Sequence, residues 1–131
     1  APGPEAPAVA ASTSPDDGEP PLDWPGALRN LDGDEAFLRE LSEMFLQQYP
    51  QALQSVADAV GRGADDDLEE AAHALKGSAR VVGGRAVAAA ALELENLGQA
   101  GGARTGGPAL ERLRARLAEL SDVLAAELED R

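Results

Sequence analysis

From Leu22 onward, apolar residues recur every three or four positions and nowhere alternate with polar ones, which restricts the chain to packed helices. In one stretch Leu68, Ala71, Ala72, Leu75, Ala79 and Val82 form a stripe about 100° wide when each residue turns the helix by about 100°. The same spacing runs through Phe37, Leu38, Leu41, Met44, Phe45 and Gln48, continued by Leu53, Val56, Ala57 and Val60, and we read this stripe as core. It returns in Val87, Ala90, Ala91, Leu94 and Leu97, and again in Leu110, Leu113, Leu117, Leu120, Val123 or Leu124, and Leu128. Leu22, Trp24, Ala27, Leu28 and Leu31 predict a short helix with Pro25 near its start. The expectation is an all-α fold, an antiparallel four-helix bundle with a short extra N-terminal helix.

Turn and cap residues divide these stretches. Asp32-Gly33-Asp34 predicts a turn with Asp34 as the N-cap of the next helix, and Pro50 predicts a kink or brief interruption within it. Gly61-Arg62-Gly63 closes that helix. Asp65-Asp66-Asp67 opens the following one, and their carboxylates are expected to complement the helix dipole and cap free N–H groups rather than bind a metal. Gly83-Gly84 ends it. The span Gly98 to Gly107 reads as a flexible connection: Gly101 and Gly106 have the outer spacing of a phosphate-binding loop, but Gly107 stands where that loop requires lysine, and no strand precedes it. Pro108 suits the first turn of the last helix.

All four aromatic residues lie between Trp24 and Tyr49, so the core must be built mostly from Leu, Ala and Val. Residues 1–21 are rich in Pro, Ala and acids without apolar periodicity and read as a disordered linker, leaving residues 22–131 as one bundle domain. The linker has neither a cationic start nor a continuous apolar run, which excludes a signal peptide and a membrane span there. A chain beginning at Ala1 is expected to be part of a longer protein. The net charge is −13 with no basic stripe, so nucleic acid is excluded as a partner. Without cysteine there is neither a disulfide framework nor a thiolate metal site.

The only histidine, His73, and the only lysine, Lys76, lie within one helical turn. His73 falls about 150° from the middle of its helix's apolar stripe and is expected to face solvent. Gly77 shares its face, flanked by Lys76, Arg80 and Glu69. A mid-helix glycine costs about 0.5–1 kcal/mol relative to alanine, and close approach of another molecule to His73 is a reason to keep one. An exposed imidazole with a neutral nitrogen is a nucleophile, and Lys76 and Arg80 would hold an arriving anion, an arrangement suited to phosphoryl transfer. One histidine cannot supply a usual zinc set, and a serine nucleophile would need this same histidine with no evident buried orienter.

His73-Ala74-Leu75-Lys76-Gly77-Ser78-Ala79, followed by a glycine at Gly83 or Gly84, resembles the His-x-Leu-Lys-Gly-Ser-Ala signature of histidine-containing phosphotransfer (HPt) domains of bacterial multistep phosphorelays. The likeness extends more loosely from about Leu22 to the C-terminus. It implies a phosphoacceptor at His73 that takes a phosphoryl group from a receiver-domain aspartyl phosphate and relays it to another receiver aspartate. Lys76, Gly77 and Arg80 would complete the site, with Phe45 or its neighbours edging the surface beside it. The resemblance further implies a carrier rather than a complete enzyme, with no cofactor or metal on this chain and Mg2+ on the receiver. Expected partners are receiver domains and a histidine kinase in the same or another chain, without direct membrane contact. The expected location is cytoplasmic, whether or not the parent protein is membrane-anchored. Two alternatives remain open: the phosphoacceptor domain of a chemotaxis-type kinase, and a helical docking module in which His73 is not phosphorylated.

Overall fold

The computed structural model describes residues 20–129. Its α-helices are α1 (Trp24–Asn30), α2 (Glu35–Arg62), α3 (Asp65–Val81), α4 (Arg85–Gln99) and α5 (Gly107–Glu129), with a 3-10 turn at Ala103–Thr105. There is no strand among the described residues. The all-α bundle with a short extra N-terminal helix is therefore the observed fold. Of the expected linker, all but Pro20 and Pro21 lies outside the described residues. No described helix is long and apolar enough to cross a membrane.

Local chemistry places the helix ends. Asp23 caps α1 by accepting from the Gly26 N–H at 3.1 Å, with Pro25 in the first turn. Asp34 caps α2 through the Phe37 N–H at 3.0 Å, and Gly63, with φ of 65°, closes α2 in the left-handed conformation expected of a C-terminal glycine. Of the two outcomes expected at Pro50, the interruption does not occur: α2 continues through it as one helix. Proline forfeits one backbone hydrogen bond there. Phe45 before it and Val56 after it are both buried, so packing holds the two halves of α2 on one core.

That core takes Leu38, Phe45, Val56 and Ala59 from α2, Leu68, Ala72, Leu75 and Ala79 from α3, Val87, Ala90, Ala91 and Leu94 from α4, and Leu113, Leu117, Leu120 and Leu124 from α5. Phe37, Met44 and Gln48, expected in the core stripe, are exposed. Phe37 and Met44 each precede a buried residue by one position, which turns them about 100° out of the packed arc. Between Val123 and Leu124, Leu124 takes the interior position.

Two further expectations are corrected at the α3–α4 end. The N-cap of α3 is Ala64, without a side-chain capping bond. Asp65 instead accepts from the Ala103 N–H at 2.9 Å, and Asp67 pairs with Arg62 at 3.3 Å. The Asp65 tie makes the glycine-rich span a folded connection rather than a flexible one: Gly98 belongs to α4, and Ala103 is fully buried in the 3-10 turn. At Gly98 an added Cβ would lie 2.7 Å from the Asp65 carbonyl oxygen and 2.8 Å from the Glu69 nitrogen, so the two backbones meet with no room for a side chain. This close packing brings a residue of α4 against the flank of α3 that carries His73.

Candidate functional site

His73 stands on the solvent side of α3, opposite the face that buries Leu68, Ala72, Leu75 and Ala79, and its side chain is 68% exposed. Gly77, one turn on, has nothing within 4 Å of the place a Cβ would occupy, so the surface beside the ring is open. These two placements agree with the helical spacing read from the sequence.

Lys76 does not stand free beside the histidine. Its side chain is 13% exposed, and its Nζ lies 2.7 Å from Glu95 Oε1. The other carboxylate oxygen, Glu95 Oε2, lies 2.8 Å from His73 Nδ1. Glu95, a buried residue of α4, therefore joins the two α3 side chains that the sequence placed one turn apart. The Lys76 ammonium against it holds the Glu95 carboxyl below its ordinary value of 4.5; burial pushes the other way, and the contact with His73 lowers it further.

An ionised carboxylate can only accept, so the Glu95 contact assigns the hydrogen to His73 Nδ1. In the neutral ring Nε2 then carries the lone pair. The site thus presents one defined nucleophilic nitrogen, with a buried anion on the opposite side of the ring able to stabilise positive charge when Nε2 forms a bond. Spacing along α3 alone offers no buried orienter for His73; Glu95 of α4 fills that position. Its signal was present: Glu95 lies four residues after Ala91 and eight after Val87, which puts a carboxylate on the buried stripe of α4.

Arg80 is exposed and lies two turns beyond His73, about 10 Å along the axis, where it lines a cleft with Arg29 and Arg85. It is not drawn into the His73–Glu95–Lys76 cluster. On the side of α3 facing α2, a groove of about 210 Å³ runs between Leu41, Met44, Phe45 and Tyr49 of α2 and Ser78 and Val81 of α3. Phe45 is buried and stacks on Tyr49 with ring centroids 5.7 Å apart, while Met44 and Val81 form the exposed rim. No cluster of His, Cys, Asp or Glu suited to a metal ion occurs among the described residues.

Compared with known proteins, residues 40–123 match the family described as Hpt domain. Among solved structures, the HPT domain from the Hpt sensor hybrid histidine kinase from Shewanella is similar, with a TM-score of 0.73 and 17% sequence identity over 84% of this chain and 95% of that one. At that identity the likeness establishes a shared fold. No curated protein matches the sequence.

Proposed function

This chain belongs to the Hpt domain family, and on that premise we propose that it is a histidine phosphotransfer module whose acceptor is His73 Nε2. The observation that carries this reading is the 2.8 Å contact between His73 Nδ1 and Glu95 Oε2, which fixes the tautomer on an exposed ring. The Nε2 lone pair attacks the phosphorus of a receiver aspartyl phosphate. The N–P bond forms, the P–O bond to the aspartate breaks, and the aspartate leaves as a carboxylate. The ring becomes cationic with Nδ1–H still donating to Glu95, whose negative charge stabilises it. In the onward step a second receiver aspartate attacks phosphorus, and the ring departs neutral.

In this reading Lys76 acts through Glu95, keeping it ionised and positioned. Gly77 leaves the approach to the ring clear, and Arg80 adds positive charge farther along the docking face. Met44 and Val81 supply apolar area to the same partner. The metal needed for aspartyl phosphate chemistry belongs to the receiver, and we assign this chain neither cofactor nor nucleotide site. It is a carrier that works in the cytoplasm with its receivers, in bacterial two-component signalling.

Incubation with a receiver domain carrying phosphate on its aspartate tests the proposal. Label should reach a base-stable, acid-labile histidine in the wild type and none should reach His73→Gln, which keeps its fold because the side chain is exposed. A receiver that binds without transferring label supports the docking module instead. Undiminished labelling of His73→Gln removes His73 as acceptor.

A further inference from the structure

A cleft of about 530 Å³ opens where α1 crosses the α3–α4 turn. Among the described residues its charged lining is Arg29 of α1, Arg80 of α3 and Arg85 of α4, with one carboxylate, Asp23. Asp23 is already engaged: it caps Gly26 and lies 3.8 Å from Arg85, and its own N–H donates to the Gly83 carbonyl at 2.8 Å. Gly83 has φ of 85°, and a Cβ there would meet the Asp23 carbonyl oxygen at 2.6 Å, so this wall of the cleft is tightly built. Arg29 and Arg80 are exposed and have no ion-pair partner among the described residues. Ala88, Ala89 and the exposed Leu92 provide an apolar flank.

This excess of positive charge occurs on a chain of net charge −13. At physiological ionic strength charges are screened beyond about 8 Å, so an approaching body feels Arg29 and Arg80 locally rather than the net charge of the whole chain. The cleft also continues the face of the candidate acceptor. Arg80 lies only about 20° around α3 from His73 and about 10 Å along it, with the open position of Gly77 between them. A protein seated over Gly77 and reaching the His73 ring would extend over Arg80, whereas a small free anion gains nothing from that continuity.

We infer that the Arg29–Arg80–Arg85 cleft is a second contact point for the protein that docks on His73, and that it receives a carboxylate-bearing segment of that partner. The inference rests on the phosphotransfer reading above and adds a charge requirement to it: the cleft orients and selects the partner, while the chemistry stays at His73. Exposed complementary charge acts chiefly on encounter and choice of partner, so its removal should alter the concentration dependence of transfer rather than its limiting rate.

The test uses the receiver domain that charges wild-type His73, varied in concentration at two salt levels, with Arg29→Glu, Arg29→Ala and Arg29→Lys compared. Arg29→Glu should raise the half-saturating receiver concentration about tenfold with the maximal rate unchanged and flatten the salt dependence. Arg29→Ala should give a smaller shift in the same direction, and Arg29→Lys should restore most of the loss. Hexaglutamate peptide should compete with the receiver on the wild type but not on Arg29→Glu. Unchanged half-saturation in folded Arg29→Glu, verified by circular dichroism, overturns the inference while leaving the phosphotransfer reading standing. Stronger competition by inorganic pyrophosphate than by the peptide assigns the cleft to a small anion and overturns it too. No receiver able to charge the wild type at all overturns the phosphotransfer reading and this inference with it.

Discussion

Gly98 of α4 and Gly77 of α3 both sit inside helices, where glycine costs about 0.5–1 kcal/mol relative to alanine, but their surroundings are opposite. At Gly98 a Cβ would press on the α3 backbone at Asp65 and Glu69; at Gly77 it would meet nothing within 4 Å. The first glycine is explained from within the molecule, since it lets α3 and α4 close together. The second has no internal explanation. The proposed docking on His73 would supply an external one, a partner that must come close. The comparison separates what the fold requires from what docking on His73 would require.

The largest effect expected is at Gly98. Leucine there must displace α3 backbone, and overpacking of that kind should reach about 3 kcal/mol or more, beyond any gain in helix propensity. At about 4–8 °C per kcal/mol, thermal melting should fall by more than about 12 °C. A melting point within a few degrees of wild type would mean that α3 and α4 are not in close contact at Gly98.

Gly77→Gln should behave in the reverse way. Melting should hold or rise, by roughly 0.5–1 kcal/mol in stability, because open space and better helix propensity act together. Receiver-to-His73 transfer should fall about a hundredfold as the side chain keeps the reacting atoms apart. Full transfer in a stable variant would mean that no partner docks over Gly77.

Glu95→Gln links the two regions, because Glu95 reaches His73 from the helix that Gly98 brings close. Transfer should drop about tenfold or more, since a hydrogen bond to a charged group is worth about 1.5–3 kcal/mol and about 1.4 kcal/mol is tenfold in rate. Stability at neutral pH should fall by roughly 1–2 kcal/mol, below the about 3–5 kcal/mol for breaking a fully buried pair, because Lys76 retains some solvent. The pH dependence has a definite sign. The folded Glu95 carboxyl is held below its ordinary 4.5, so its stabilisation is present above that pH and disappears as pH falls through the lower folded value. The stability gap between wild type and Glu95→Gln should therefore narrow in acid denaturation below about pH 4.5. A gap that is constant with pH would contradict the ion pair.

The smallest effect belongs to Gly61, another helical glycine whose Cβ would meet nothing within 4 Å, located near the end of α2. Gly61→Gln should raise stability by a few tenths of a kcal/mol and leave transfer unchanged, which separates open space as such from open space beside His73.

The helices, Asp34 as a cap, the outward face of His73 and the clear space at Gly77 were all legible in the sequence, because each follows from spacing along one helix. The role of Glu95 was not legible, because it depends on which face of α4 meets α3. A carboxylate on the apolar stripe through Val87 and Ala91 was nevertheless a signal. The burial of Lys76 was hidden for the same reason: its partner arrives from another helix. The exposure of Phe37 and Met44 and the continuity of α2 through Pro50 depend on how far the packed arc extends, which periodicity within one helix does not define. The Asp65–Ala103 bond that folds the glycine-rich connection spans 38 residues and has no local signature.

In the proposed mechanism Glu95 holds the hydrogen on His73 Nδ1 and so makes Nε2 the acceptor. Long-range proton–nitrogen NMR on uniformly 15N-labelled protein, recorded before and after charging by a phosphorylated receiver domain, reads both nitrogens directly. That mechanism requires an Nδ1–H tautomer in the uncharged protein and phosphorus on Nε2 afterwards, with Nδ1 still protonated. Phosphorus on Nδ1, or an Nε2–H tautomer in the resting protein, would contradict it.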